Sequence, residues 1–313
     1  MTAAAIGVPG PRPAPWSPAA RWGVRGWVTD LGGPVHWVEF GEAADREAPP
    51  IVFVHGLGGS HLNWVLIGPA LATGRRAVAV DLPGFGLSPG IGRDSSVPAN
   101  AAVLRDFLAT AVGKPAVLVG NSMGATVSLL AAQSAPAAVA GLVLVDPALP
   151  IPAQRPDARV AAAFLLYIAP VVGELVLRGL ASRQSARQTV ERVINMCFAD
   201  PSRASEAVLE ASTELAEHRR YMAGTERSLV IAARSLMRLL SRPGVYRAVI
   251  SAVRVPTLLV HGEADRLVPI ASARRALADR PDWAHTFLPG VGHTPQLETP
   301  DDVIGAVSGW LAS

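Results

Sequence analysis

A chain of 313 residues is long enough to bury a large core and to form one big domain, or one domain carrying an insertion. Half of it is apolar and 17% is charged, a balance that excludes a mainly disordered chain. The net charge of +3 does not point to nucleic acid: Lys114 is the only lysine, the arginines are scattered, and no basic run is interleaved with aromatics.

Residues 1–22, "MTAAAIGVPGPRPAPWSPAARW", are rich in Pro and Ala and lack the basic start and apolar stretch of a signal peptide. They read as a loose N-terminal arm. "GWVTDL" and "VHWVEF", divided by Gly-Gly-Pro, read as an antiparallel pair. Apolar runs then alternate with helical stretches: "IVFVHG" from Ile51, "AVAVDLPG" from Ala77, "AVLVGNS" from Ala116 and "GLVLVDP" from Gly141. Runs of this kind suit strands buried on both faces, so the expectation is an α/β fold built on a parallel sheet wrapped by helices. Between residues 150 and 252 the rhythm stops, and Ala, Leu, Arg and Glu recur at helical spacing. The sheet pattern resumes with "TLLVHGEAD" and "HTFLPG". The reading is a core in two parts, 23–149 and 253–313, with a helical cap over 150–252. Because the cap leaves from the end of a strand, it is placed to cover the edge where open α/β sheets bind ligands. The longest uncharged apolar stretch, Val160 to Gly173, is interrupted by Pro170 and is shorter than the ~18–20 residues a membrane span needs. Cys197 is the sole cysteine, so no intrachain disulfide forms and nothing calls for an oxidising compartment. A soluble, cytoplasmic protein is expected, with transient membrane-surface contact through the cap left open.

The chemistry centres on "GNSMG", residues 120–124, where a buried strand turns directly into a helix. A serine hydroxyl becomes a useful nucleophile only when a base takes its proton and donors receive the developing oxyanion. A sharp strand-to-helix turn exposes the hydroxyl and aims helix N-terminal N–H groups into the same space, and crowding there demands small neighbours. Ser122 is the candidate nucleophile. Of the seven histidines, His293 is the candidate base, because "GVGHTPQLETP" follows the last strand and can carry an imidazole over the sheet edge. Asp265 in "GEADRLVP" and Asp146 in "LVLVDPALP" compete as the acid that orients it, and the longer loop favours Asp265. The N–H of Met123 and the N–H of Leu57 in "HGLGGS" are the expected oxyanion donors, with Gly56, Gly58 and Gly59 permitting close approach. Asp81 in "DLPGFGLS" reads as loop architecture, His36 lies in the early hairpin, and His61 and His285 sit beside strand or helix starts with no small-residue frame.

The motifs "HGLGGS", "DLPGFGLS", "GNSMGA", "HGEADRLVP" and "GVGHTPQLETP" run in order from about residue 25 to the C-terminus, and together they resemble the α/β-hydrolase family of lid-bearing esterases and epoxide-hydrolase-like proteins. The resemblance implies an eight-stranded, mostly parallel sheet, a helical cap and no cofactor. No metal-ligand constellation competes. Ser122 departs from relatives that use Asp as nucleophile. Thr294 and Ala125 depart from the carbon–carbon bond hydrolases of aromatic-ring degradation, which remain an alternative. A serine carboxylesterase or lipase is the simplest expectation. Its substrate would be an apolar, lipid-like ester lodged against "AAAFLLYIAPVVGELVL" of the cap, with Trp64, Met196 and Phe198 adding to the pocket. A non-catalytic protein of this fold, binding a small apolar ligand, is the reading from another class.

Overall fold

Residue parity decides how the strands are used. In a strand successive side chains face opposite ways. Accordingly, Val52, Val54, Val78, Val80 and Leu118 enter the core on one side of the sheet, and Ile51, Phe53, Ala79, Val117 and Val119 enter the core on the other. With both faces covered, nearly every position must be apolar, which is why these strands read as continuous Val/Leu runs. The computed structural model describes residues 10–41, 47–151, 179 and 183–313.

The strands are β1 (Arg12–Pro13), β2 (Arg25–Asp30), β3 (Pro34–Phe40), β4 (Ile51–Val54), β5 (Ala77–Val80), β6 (Ala116–Asn121), β7 (Val139–Val145), β8 (Thr257–Gly262) and β9 (Ala284–Leu288). They form one sheet in the order β1-β2-β3-β5-β4-β6-β7-β8-β9. β1, β2, β3 and β5 pair antiparallel, and every pairing from β5 through β4 to β9 is parallel. The chain lays β5 on one side of β4 and then returns to lay β6 on its other side. Open α/β sheets hold their ligands where the strand order reverses in this way, beyond the carboxyl ends of the strands.

The sheet has nine strands, where the family resemblance implied eight. The extra strand comes from the segment read as a loose arm. Arg12 lies opposite Val28 and Pro13 opposite Trp27. Pro13 is tolerated because β1 is an edge, where a missing N–H breaks no ladder. Beyond it, the Ser17 hydroxyl lies 3.0 Å from His61 Nε2, and the Arg21 guanidinium bonds Glu210 at 2.9 Å and Glu214 at 2.6 Å. Residues 10–22 are therefore docked onto the rest of the molecule. These partners are 44 to 193 positions away in sequence, a range that composition does not report.

The helices that matter below are α1 (Val97–Phe107), α2 (Met123–Ser134), α3 (Ala186–Cys197), α4 (Glu206–Arg219), α5 (Thr225–Leu240), α6 (Pro243–Ala252) and α7 (Ile270–Asp279). The described residues between 183 and 252 contain helices and turns with no strand. Among the described residues no helix is long and apolar enough to cross a membrane.

One contact sets the geometry of the centre. A Cβ at Gly124, in the first turn of α2, would overlap the carbonyl oxygen of Val54 and crowd that of His55 at 2.5 Å. Gly124→Ala must therefore push α2 away from β4. It should cost on the order of 1–3 kcal/mol, seen as a lower midpoint in thermal denaturation. An unchanged midpoint would mean that the helix can withdraw freely.

Candidate active site

Ser122 sits between the last residue of β6 and the first of α2, with φ 54 and ψ −117. Positive φ in a residue with a side chain is a strained conformation that persists only where surroundings impose it. Here the surroundings are visible. The Ser122 N–H donates to the carbonyl of Val145 at 3.0 Å, and its own carbonyl accepts from Ala125, Thr126 and Ala148. A Cβ at Gly120 would lie 2.6 Å from the Ala125 nitrogen, so both glycines of the motif are required by packing. The N–H of Met123 opens α2, where no intrahelical acceptor is available to it. The "HGLGGS" backbone lies against the same turn: a Cβ at Gly56 would stand 3.2 Å from Ser122 Cβ. Leu57, the next residue, is half-buried.

His293 and Asp265 meet from the loops that follow β9 and β8. The imidazole Nδ1–H donates to Asp265 Oδ2 at 2.7 Å, and both side chains are nearly buried. Asp265 Oδ1 accepts from the N–H groups of Leu267 at 2.7 Å and Val268 at 3.0 Å. Burial pushes the Asp265 carboxyl upward, but His293 and the backbone donors outweigh it and leave the carboxyl below its ordinary value. The His293 N–H donates to the Cys197 carbonyl at 2.6 Å, and its carbonyl accepts from Asn121 Nδ2 at 3.1 Å. Asn121 precedes Ser122, so one amide ties the serine turn to the histidine loop. Asp146, the other candidate acid, is fully buried and accepts the Gly262 N–H at 3.0 Å rather than a histidine N–H.

Three supports had weaker sequence signals. Asn121 is the one polar side chain at the end of an apolar strand. Glu298, buried in "QLETP", accepts N–H groups from Gly292 at 2.8 Å, Asp200 at 3.0 Å and Ala199 at 3.1 Å. It thereby pins the histidine loop to the segment after α3. His55 is a third. Its Nδ1–H donates to the Gly56 carbonyl at 2.7 Å and its Nε2 accepts from the Leu82 N–H at 3.0 Å, which holds the imidazole neutral in one tautomer beneath the glycine loop.

Asp81 is architectural, as its loop suggested. It accepts from the N–H of His61 at 2.7 Å, Nδ1–H of His61 at 2.9 Å, Nδ1–H of His36 at 2.8 Å and the N–H of Leu87 at 2.8 Å. Burial alone would raise its carboxyl, but the two histidines hold it well below the ordinary range. His36, His61 and Asp81 bring three donor atoms within 4.8 Å of one another, and the two imidazoles already give Nδ1–H to the carboxylate. The trio is a hydrogen-bonded staple.

The residues expected to line a substrate pocket separate. Trp64 is fully buried and stacks on Phe53 at 5.0 Å beneath the sheet, so it is core and not pocket. It closes the short 3-10 turn His61–Trp64, and nothing in its flanking residues indicated a face. Phe198 is almost fully buried in a segment seated against Gly292, and its carbonyl accepts from Arg266. Met196 is 37% exposed at the end of α3. The run "AAAFLLYIAPVVGELVL" lies outside the described residues. A groove of about 930 Å³ between α1, α2, α5 and α6, lined by Val97, Leu130, Ile231 and Arg238, includes none of the residues at the serine turn.

The sequence profile of the alpha/beta hydrolase family matches residues 51–306. The dihydrolipoyllysine-residue acetyltransferase component of the acetoin cleaving system of Pseudomonas putida is 28% identical over 278 residues, covering 88% of this chain. The chain spans only 66% of that relative's own length. The pimeloyl-(acyl-carrier protein) methyl ester esterase of Aromatoleum aromaticum is 28% identical over 268 residues, 81% of this chain and 94% of the relative. Among solved structures, Cfl2 of Burkholderia cenocepacia superposes with a TM-score of 0.77 at 21% identity, covering 92% of this chain and 96% of that one. At that identity the likeness is one of fold.

Burial, only partly offset by the charge of Asp81, lowers the His55 pKa from 6.5 to about 4. Between these values the unfolded chain binds a proton that the folded protein refuses. The stability is therefore complete above 6.5 and falls as pH drops towards 4, by an amount on the order of 3 kcal/mol from this group. Urea midpoints at about pH 7 and about pH 4.5 should show the loss, and His55→Gln should reduce it. An equal loss in the variant would assign the titration to another group.

Proposed function

The chain belongs to the alpha/beta hydrolase family, and from that premise we propose that it is a serine hydrolase cleaving carboxylic esters through an acyl-enzyme. The observation that carries the reading is the strained Ser122 turn, joined through Asn121 to a His293 whose Nδ1–H is held by Asp265. In this reading His293 Nε2 takes the Ser122 proton as Oγ attacks the ester carbonyl. Asp265 keeps the imidazole in the required tautomer and stabilises the imidazolium that forms. The N–H groups of Leu57 and Met123 receive the oxyanion, which is the state in which their donation matters most. The imidazolium then protonates the leaving alkoxide, and water, activated by the same base, releases the acid.

An apolar acyl group is the proposed substrate class. It is supported by Leu229, whose Cδ1 would stand 3.7 Å from a Cβ at Gly58 in the glycine loop. The esterase relative from Aromatoleum aromaticum is consistent with ester chemistry on this fold.

Fluorophosphonate labelling of the wild type, Ser122→Ala and His293→Ala, beside a p-nitrophenyl ester series of increasing chain length, tests both parts. Each substitution should abolish labelling and cost on the order of 10⁴–10⁶ in turnover. An unlabelled wild type with native circular dichroism would overturn the nucleophile assignment. A preference for short, charged acyl groups would overturn the apolar substrate.

A further inference from the structure

Asp146 is a further buried carboxyl at this edge, and the hydrolytic reading leaves it without a role. It follows β7 in the left-handed region, with φ 40, and its side chain is fully buried. A side chain held at positive φ signals that the surroundings impose its direction. Oδ1 accepts the Gly262 N–H, while Oδ2 receives no N–H, and the carboxyl faces that of Asp265 at hydrogen-bonding range. One oxygen of Asp146, one oxygen of Asp265 and a ring nitrogen of His293 lie within 4.8 Å of one another.

Two carboxylates this close in a dry site do not both ionise. The number of donors decides which one carries the charge. Asp265 accepts three N–H groups, from Leu267, Val268 and His293, against one for Asp146. The neighbour on the other side gives the same answer. His261 uses Nε2–H to donate to the Val268 carbonyl at 2.9 Å, so its Nδ1 is a bare acceptor, 3.6 Å from Asp146 Oδ1. Two lone pairs then face each other, and an anionic oxygen there would be repelled, whereas a carboxyl proton relieves the clash. The other titratable groups facing Asp146, Glu298 and Cys197, supply no positive charge.

We propose that Asp146 is a protonated reserve for Asp265: it stays neutral while Asp265 carries the charge behind His293, and it ionises to take that place when Asp265 is neutralised. Burial, then the charge of Asp265, raises the Asp146 carboxyl well above the ordinary range, in the same direction. Once ionised, its proton goes to water. The carboxylate then lies within the ~4–6 Å at which an opposite charge stabilises an imidazolium. In the unaltered protein Asp146 is a positioning residue, acting through Asp265. Its role in the reaction rests on the serine-hydrolase reading, but its protonation state does not.

Carboxyl-selective carbon NMR of aspartate-labelled protein tests the proton directly, with Asp146→Asn identifying the resonance. At neutral pH the Asp146 signal should be that of a carboxylic acid in the wild type and that of a carboxylate in Asp265→Asn. An ionised Asp146 in the wild type, or one still protonated in Asp265→Asn, overturns the proposal. Fluorophosphonate labelling supplies the second readout. Asp265→Asn should slow labelling by about 10–10²-fold, and the double variant Asp146→Asn/Asp265→Asn by about 10⁴-fold, the loss expected when no carboxylate holds the imidazole. Equal rates in the single and double variants, both native by circular dichroism, also overturn it. A wild type that does not label removes the hydrolase reading instead, and the NMR result still decides the state of Asp146.

Discussion

The approach of α2 to β4 is the contact on which the rest depends. Gly124 lets the helix press against the carbonyls of Val54 and His55, and Gly120 lets the strand pass under the helix start. With the two backbones so close, the residue between them has few conformations left, and Ser122 is forced to positive φ. The same approach brings the loop after β4, with Gly56 and Leu57, against the serine turn. A larger residue at either glycine would separate the parts before any chemistry could be considered. The candidate site is thus a consequence of helix–strand packing at the point where the strand order reverses.

Buried carboxylates hold the loops that surround this contact. Backbone N–H groups taken out of water must find acceptors, and the loops beyond the strand ends have no ladder to provide them. Asp81 accepts for the loops around His61 and Leu87, Asp265 for Leu267 and Val268, and Glu298 for Gly292, Ala199 and Asp200. Each draws together stretches that are distant in sequence or sharply turned. Asp81 and Asp265 gain histidine partners and keep their charge despite burial. Asp146 has no such partner. The difference between two aspartates at one sheet edge comes down to how many donors each receives.

The chain after α3 is held to this edge by the same means. Cys197 receives the His293 N–H, and Glu298 reaches across to the residues that follow it. A Cβ at Gly292 would collide with this segment, so the histidine loop and the chain after α3 are fitted to each other. The Arg21 contacts to Glu210 and Glu214 attach the N-terminal segment to α4. Exposed ion pairs of this sort contribute little individually. Their value is in setting where residues 10–22 lie.

Local pattern was enough for much of this protein. The Val/Leu runs marked the buried strands because both faces of the sheet are covered, and "GNSMG" marked the serine turn because its crowding excludes larger side chains. Asp265 and His293 were legible as loop residues after late strands, and the structure pairs them at 2.7 Å. The fate of Trp64 was not legible, since a tryptophan in a short turn beyond a strand suits a pocket or a core equally, and only packing on Phe53 decided between them. The ninth strand and the docking of Ser17 and Arg21 were hidden in a Pro/Ala-rich stretch, because their partners lie far along the chain. Asn121, His55 and Glu298 had the right chemistry for many roles. Periodicity and steric crowding are local, so residue order alone marked which segments become strands and where the serine turn lies. Which polar groups share a buried space was settled by packing, because it depends on donors delivered from distant loops.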